Sequence, residues 1–285
     1  VCRRRQHEHF GKSPIRLIQA LTGCSHEQAR AWAGVTDNIP KDAQDFMSRV
    51  NAALIPPTWE QSKPLKMPPQ FKRITFDAPT CRPFIKYLER RCFSYDDISQ
   101  LSSAYGLRYC SSGPFKWRII FPVVRDKRLV TWTGRTIDGR IEPRYKTLSV
   151  EPNRAADDGL APAAMPITDC LLWHDRLLET DAHTIFLCEG PFDALKMRVL
   201  GRELGVCATC FFTAQPSHEQ VNILHEVLPR FKNRFLLLDQ GTLPTALRIA
   251  GELSSLGVSI ATLPKGVKDP GALQTTSDLQ KIIVA

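Results

Sequence analysis

The sequence has no uninterrupted apolar run approaching the roughly 20 residues that a membrane span needs, so a helical membrane protein is excluded on its pattern. No internal repeat is visible, and a repeat array is excluded with it. No disulfide framework can be read: the nine cysteines are odd in number and scattered at 2, 24, 81, 92, 110, 170, 188, 207 and 210. Free thiols in a reducing cytosol are therefore expected, mostly buried. No secretory signal is present at the start, where Val1-Cys2-Arg3-Arg4-Arg5 carries neither Met nor an apolar stretch behind its charges. Residues before Val1 are expected. A phosphate-binding loop is absent too. Gly11-Lys12-Ser13 looks like the end of G-x-x-x-x-G-K-[ST], but the leading position is Gln6 and no strand precedes it.

What is present is an ordinary globular composition, 43% hydrophobic and 24% charged over 285 residues. That length fits about two domains plus accessories. Lys and Arg number 38 against 29 Asp and Glu, a formal charge of +9. A basic excess favours polyanionic partners, because neutralising phosphates releases counterions. Cys207-Ala-Thr-Cys210 has C-x-x-C spacing but falls inside a strand pattern over 206–212. It therefore reads as core rather than as a redox pair, which would open a helix.

Four segments follow along the chain. Residues 1–50 read as a small helical or finger-like unit, with Ser25 before a short Ala-rich helix. Residues 51–80 read as a linker, broken by Pro56-Pro57, Pro64 and Pro68-Pro69. Residues 81–180 return to a folded pattern: helices over 84–91 and 95–105, strands over 118–124, 129–135 and near Tyr145, then a loop over 151–166. Residues 181–285 alternate strand and helix, with strands over 184–188, 206–212, 234–238 and 258–263. These strands are near-continuous apolar runs, which predicts a parallel sheet covered on both faces.

Open α/β sheets bind ligands beyond the carboxyl ends of their strands. Those ends carry acids here. The 184–188 strand delivers Glu189, with Asp193 one helical turn on. The 234–238 strand delivers Asp239, and the last strand leads into Lys268-Asp269-Pro270. Adjacent strands would bring Glu189, Asp239 and Asp269 to one rim. Clustered carboxylates repel unless a cation lies between them. Mg²⁺ (or Mn²⁺) with oxygen ligands is the natural occupant and also bridges substrate phosphates. Taken singly, each acid is more often a helix cap or a solvated loop residue; three at corresponding strand ends shift that balance.

These residues carry a resemblance. Glu189-Gly-Pro-Phe-Asp193 resembles the E-G-x-x-D motif of TOPRIM domains, shared by bacterial-type primases and topoisomerases. Leu236-Leu-Leu-Asp239 resembles the start of their D-x-D motif, and Lys268-Asp269-Pro270 the K-D-P stretch of the primase version. Upstream, Tyr87-Leu88-Glu89-Arg90-Arg91, Gly106-Leu107-Arg108-Tyr109, Arg118-Ile-Ile-Phe-Pro122, Gly134-Arg135 and Pro143-Arg144-Tyr145-Lys146 are similar, in order, to the segment of DnaG-type primases that carries a basic ridge. His9–Ala33 resembles the tail of a primase zinc ribbon. The compact size and loose motifs point to a phage or mobile-element member.

The resemblance implies an α/β fold. A TOPRIM parallel-sheet domain (181–285) would follow an α+β primase-core, or RNA-polymerase, subdomain (81–180), a Pro-rich linker (51–80) and a partial zinc-ribbon remnant (1–50). It implies primer synthesis from ribonucleoside triphosphates on single-stranded DNA, in the cytoplasm of a bacterium or infected cell, with a replicative helicase as partner and no membrane. Glu189 and Asp239 become the catalytic pair, and Glu189, Asp193, Asp239 and Asp269 the Mg²⁺ ligands. Arg118, Arg135, Arg144, Lys146 and Lys268 become contacts for nucleotide or DNA. Trp117, Trp132 and Tyr145 are candidates to stack on bases, or core residues. Cys2 aligns with one zinc ligand. Its expected partner three residues on is Arg5, and His7 and His9 either substitute or stand in solvent. Zn²⁺ would need residues before Val1.

The chain also departs from the pattern. The second acid of D-x-D is Gly241, and the acid often found two residues after Asp269 is Gly271. A second reading follows: a TOPRIM-like protein that binds single-stranded DNA or a replication partner without catalysis. A nuclease or topoisomerase of the same class fits less well, because no catalytic tyrosine stands in a recognisable context.

Overall fold

The computed structural model describes residues 64–284, together with residues 22–32 and residues 15, 18 and 19. The chain divides into two compact units, Val1–Ser62 and Lys63–Ala285. In the first, helix α1 (His26–Trp32) opens on a reciprocal cap. The Gln28 N–H donates to Ser25 Oγ at 3.2 Å, and the Ser25 N–H donates to the Gln28 side-chain oxygen at 3.0 Å. Two donors without intrahelical partners are thereby satisfied. Cys2, His7 and His9 lie outside the described residues, and the zinc expectation lies there with them.

The second unit carries two sheets. The first is antiparallel, with strands in chain order: β1 (Phe71–Arg73), β2 (Arg108–Cys110), β3 (Arg118–Arg125), β4 (Arg128–Thr136) and β5 (Tyr145–Thr147). β3 and β4 turn at Asp126-Lys127, both with positive φ (51° and 61°), as tight primed hairpin turns require. The Asp175 carboxylate accepts both turn N–H groups, at 2.9 and 2.7 Å. Helices α2 (Arg82–Arg90) and α3 (Tyr95–Ala104) lie between β1 and β2 in the chain. α3 begins at a Ser94–Asp97 capping box.

Two expectations are corrected here. The linker over 51–80 ends early: Phe71–Arg73 pairs with β2, and Phe71 and Ile74 are buried. The 151–166 loop contains a helix, α4 (Pro152–Asp157), with Pro in its first turn and Ala155 buried.

The second sheet is parallel, in the order β7-β6-β8-β9. Its strands are β6 (Thr184–Cys188), β7 (Val206–Cys210), β8 (Asn233–Leu236) and β9 (Ser259–Ile260). Every residue of β6 and β7 is buried, as continuous apolar runs demand. Cys207 and Cys210 are free, buried thiols, so the core reading of the C-x-x-C stands. The last strand is shorter than the 258–263 pattern. α5 (His174–Glu179) precedes β6. α6 (Pro191–Leu200), α7 (His218–Val227) and α8 (Leu243–Glu252) alternate with the strands, and α9 (Thr276–Val284) follows. A core of Leu187, Phe211, Leu224, Leu236, Ile249 and their neighbours fills one side of this sheet. The two sheets meet through Phe192 of α6, whose ring lies 5.1 Å from Phe121 of β3 and 5.9 Å from Tyr87 of α2.

Candidate active site

β6 lies between β7 and β8. The connection leaving β6 runs to β7 on one side, while the one leaving β8 runs to β9 on the other. The crevice beyond the carboxyl ends of β6 and β8 is therefore a topological switch point, where open α/β sheets place ligands. Glu189 follows β6 directly, and Asp239 comes three residues after β8.

The backbone draws the remaining acids to the same rim. The Leu237 N–H donates to Leu187 O at 2.9 Å, extending the β6–β8 register toward Asp239. The Gln240 N–H donates to Lys268 O at 2.8 Å, which ties the Asp239 loop to the Asp269 loop. The Asp193 carboxylate accepts the Gly190 N–H at 3.2 Å and the Gly271 N–H at 3.0 Å. Asp193 thus caps α6 and fastens the Asp269 loop to it. One Asp269 oxygen, Oδ1, is buried without a hydrogen-bond partner.

The charges feel one another. Burial first, then the neighbouring Asp239, raises the Glu189 carboxyl. Burial and then Asp269 raise Asp239, while Arg144 opposes the rise. Asp193 is pushed up to about 7 by burial and by Asp239 and Asp269, against the pull of the Gly271 N–H and Arg91. Such a set favours whatever positive charge enters it. Oxygen donors, one of them orphaned, match a hard divalent cation. Among the described residues no three acidic, His or Cys side chains stand close enough together to enclose a metal ion.

The predicted cations separate into two kinds. Arg144 is exposed and close enough to Asp239 to influence it. Arg135 is half-buried with its guanidinium 5.0 Å from the Tyr145 ring, and Lys268 is exposed. Arg118 corrects the expectation of a surface contact. It is 2% exposed, and its guanidinium donates to the carbonyls of Gly134, Arg144 and Pro143 at 3.2, 3.3 and 2.8 Å. Its charge is spent holding the main chain that presents Arg144. Lys146 is likewise engaged, by Asp158 at 2.8 Å.

The aromatics divide in the same way. Trp132 is buried against Phe71, with ring centroids 5.3 Å apart, and belongs to the core. Burial raises the Tyr145 phenol, with Arg135 opposing. Trp117 is partly exposed, stacks on Phe84 and adopts a left-handed backbone (φ 60°). That conformation is a genuine outlier for a bulky residue. Trp117 lines an open cavity of about 830 Å³ with Lys86, Glu89, Arg90 and the Asp138–Arg140 ion pair.

Sequence reasoning missed two residues of this site, Arg91 and Lys196. The Arg91 guanidinium lies 4.6 Å from the Phe192 ring centroid, and its charge lowers Asp193. Lys196 is fully buried behind it. Arg91 sits at the end of a quoted motif, but nothing local marks either side chain as turned inward.

No protein-family model matches the chain, and no curated protein matches it. Solved structures do. The Aquifex aeolicus primase, comprising zinc-binding and RNA polymerase domains, aligns over 96% of this chain and 70% of its own, with TM-score 0.53 and 16% identity. A DnaG primase catalytic domain bound to single-stranded DNA aligns over 75% and 76%, with TM-score 0.52 and 14% identity. The primase fragment of the bacteriophage T7 primase-helicase protein aligns over 79% and 84%, with TM-score 0.50 and 14% identity. The antiparallel sheet, the parallel sheet and their order along the chain thus make up the fold of DnaG-type primase catalytic domains.

Proposed function

We propose that this chain is a DNA primase of the TOPRIM class, acting in phage or mobile-element replication. On this reading it joins ribonucleoside triphosphates into short primers on a single-stranded DNA template. The observation that carries the reading is the acidic rim at the β6–β8 switch point, in a fold shared with primase catalytic domains.

Glu189 and Asp239 would hold Mg²⁺ or Mn²⁺, with the free oxygen of Asp269 beside them and substrate phosphates completing the shell. When bound, the metal supplies neutralisation of triphosphate charge and acidifies the attacking 3′-hydroxyl. The protein's own part is positional and electrostatic. The raised Glu189 carboxyl takes a proton closer to neutral pH than an ordinary glutamate does. Arg144, just before β5, is close enough to Asp239 to favour its charged form and would offset phosphate charge. Arg135 and Lys268 add to the basic surround. The template runs past Trp117, whose ring offers a base a stacking face flanked by Lys86 and Arg90. A replicative helicase partner accords with the T7 neighbour, part of a primase-helicase protein.

The test is ribonucleotide incorporation on a single-stranded template with Mg²⁺. Glu189→Gln is expected to lower it by about 10²–10⁴-fold, with the thermal melt unchanged. Full activity in Glu189→Gln would refute the site. Salt-sensitive DNA binding by a wild type that makes no primers would establish the non-catalytic reading instead.

A further inference from the structure

Lys196 lies on α6, one turn beyond Asp193, and is 0% exposed. A lysine is almost never fully buried unless its charge is met. Its Nζ donates to the main-chain carbonyls of Arg91 at 2.7 Å and Cys92 at 3.0 Å, and stands 3.9 Å from the centroid of the Phe93 ring. Two carbonyl oxygens and an aromatic face are good company for an ammonium. Burial still brings that ammonium down to about 8, so the arrangement is kept at a cost.

The clamped carbonyls end α2. Arg91 is its C-cap, and Cys92 follows with a left-handed backbone (φ 57°). The last carbonyls of a helix lack intrahelical partners and form its negative pole, where a cation is favoured. The clamp therefore fixes the residue from which the Arg91 side chain departs. That side chain crosses the Phe192 ring to the junction of α6 with the Asp269 loop. Arg91 Nη2 stands 3.0 Å from the point a Cβ on Gly271 would occupy.

We propose that Lys196 is a positioning residue for nucleotidyl transfer: it holds the Arg91–Cys92 corner so that the Arg91 guanidinium stands against the Asp193–Gly271 junction. The proposal rests on the primase reading. It predicts that Lys196 acts through Arg91 and not through general stability.

The experiment is a double-mutant cycle on the full chain with Lys196→Met, Arg91→Gln and the pair. Primer synthesis is read as kcat and KM separately, and Mg–ATP binding by calorimetry, after each variant is checked by thermal melting. Met keeps the volume and apolar stem and removes the donors. Lys196→Met is expected to lower kcat/KM by about tenfold or more, since small misplacements at a reacting centre are costly. In the Arg91→Gln background its further effect is expected to fall below about twofold. Losses that multiply in the pair, or full activity in Lys196→Met, overturn the proposal. If Lys196→Met fails to melt cooperatively, Lys196→Gln carries the same cycle with the same criterion. A wild type that binds Mg–ATP without making primers sinks the primase reading alone, and the cycle is then read on nucleotide affinity. A wild type that does neither overturns both.

Discussion

Asp193 and Gly271, 78 residues apart in sequence, are joined by a hydrogen bond of 3.0 Å from the glycine N–H to the carboxylate. The junction leaves no room for a side chain. A Cβ on Gly271 would meet Asp193 Oδ1 at 2.9 Å, Arg91 Nη2 at 3.0 Å and Asp269 Oδ1 at 3.1 Å. The resemblance leads to the expectation of an acid here; the residue is Gly271, and three ionisable groups approach it closely. Gly271→Ala is expected to lower the unfolding free energy by about 1–3 kcal/mol in urea titration. Incorporation should fall with it by about tenfold. An unchanged midpoint would mean that the junction yields freely.

Gly241 presents the opposite case. Nothing lies within 4 Å of the position its Cβ would take, but its φ is +88°. Gly241→Asp therefore has space and pays roughly 1 kcal/mol for the left-handed backbone. An added carboxylate at the rim raises the ligand charge, and severalfold tighter Mg²⁺ binding by calorimetry is the expected result. A rise in primer synthesis would follow. Weaker binding would place that side chain away from the ion.

The acidic rim makes the metal-free protein sensitive to pH in an unusual direction. Unfolded, an aspartate titrates near 4, whereas folded Asp193 titrates at about 7. Between those values the folded state keeps a proton that the unfolded chain has released, so stability falls as pH rises. A shift of that size corresponds to about 4 kcal/mol. The melting temperature without metal is expected to drop from pH 5 to pH 8. Millimolar Mg²⁺ should raise it more at pH 8 than at pH 5, because cation and proton compete. A flat profile would contradict the burial of Asp193.

Arg118 and Trp117 are neighbours with opposite surroundings, the first buried and the second partly exposed. Arg118→Ala removes a buried guanidinium and its hydrogen bonds to the carbonyls of Gly134, Pro143 and Arg144, and is expected to destabilise the fold by about 2–4 kcal/mol. Trp117→Ala removes a stacking face and should weaken single-stranded DNA binding by about 1–3 kcal/mol. Its salt slope should not change, because no charge is lost. Fluorescence anisotropy at several salt concentrations, beside thermal melts, separates the two. A stable Arg118→Ala protein with poor DNA binding would reverse the assignment.

The parallel sheet was legible because strands buried on both faces leave unbroken apolar runs, as in Thr184–Cys188 and Val206–Cys210. A helix start was legible where chemistry marks it, at Ser25 with its reciprocal bonds to Gln28. The rim acids followed from strand ends alone. β1 was hidden, since three residues among prolines carry no periodicity and gain order only from pairing with β2. α4 was hidden by loop-like composition. Arg118 was misread and Lys196 missed for one reason. A long cationic side chain in a strand or helix looks solvated until a distant set of carbonyls is folded around it.

The bond from the Gln240 N–H to Lys268 O has a consequence for how such a centre tolerates substitution. Main-chain links are blind to side-chain identity. Side chains at the tips of either loop can therefore be exchanged while the backbone holds the spacing between Asp239 and Asp269. A short combinatorial library over the loop tips is the place to begin varying the rim.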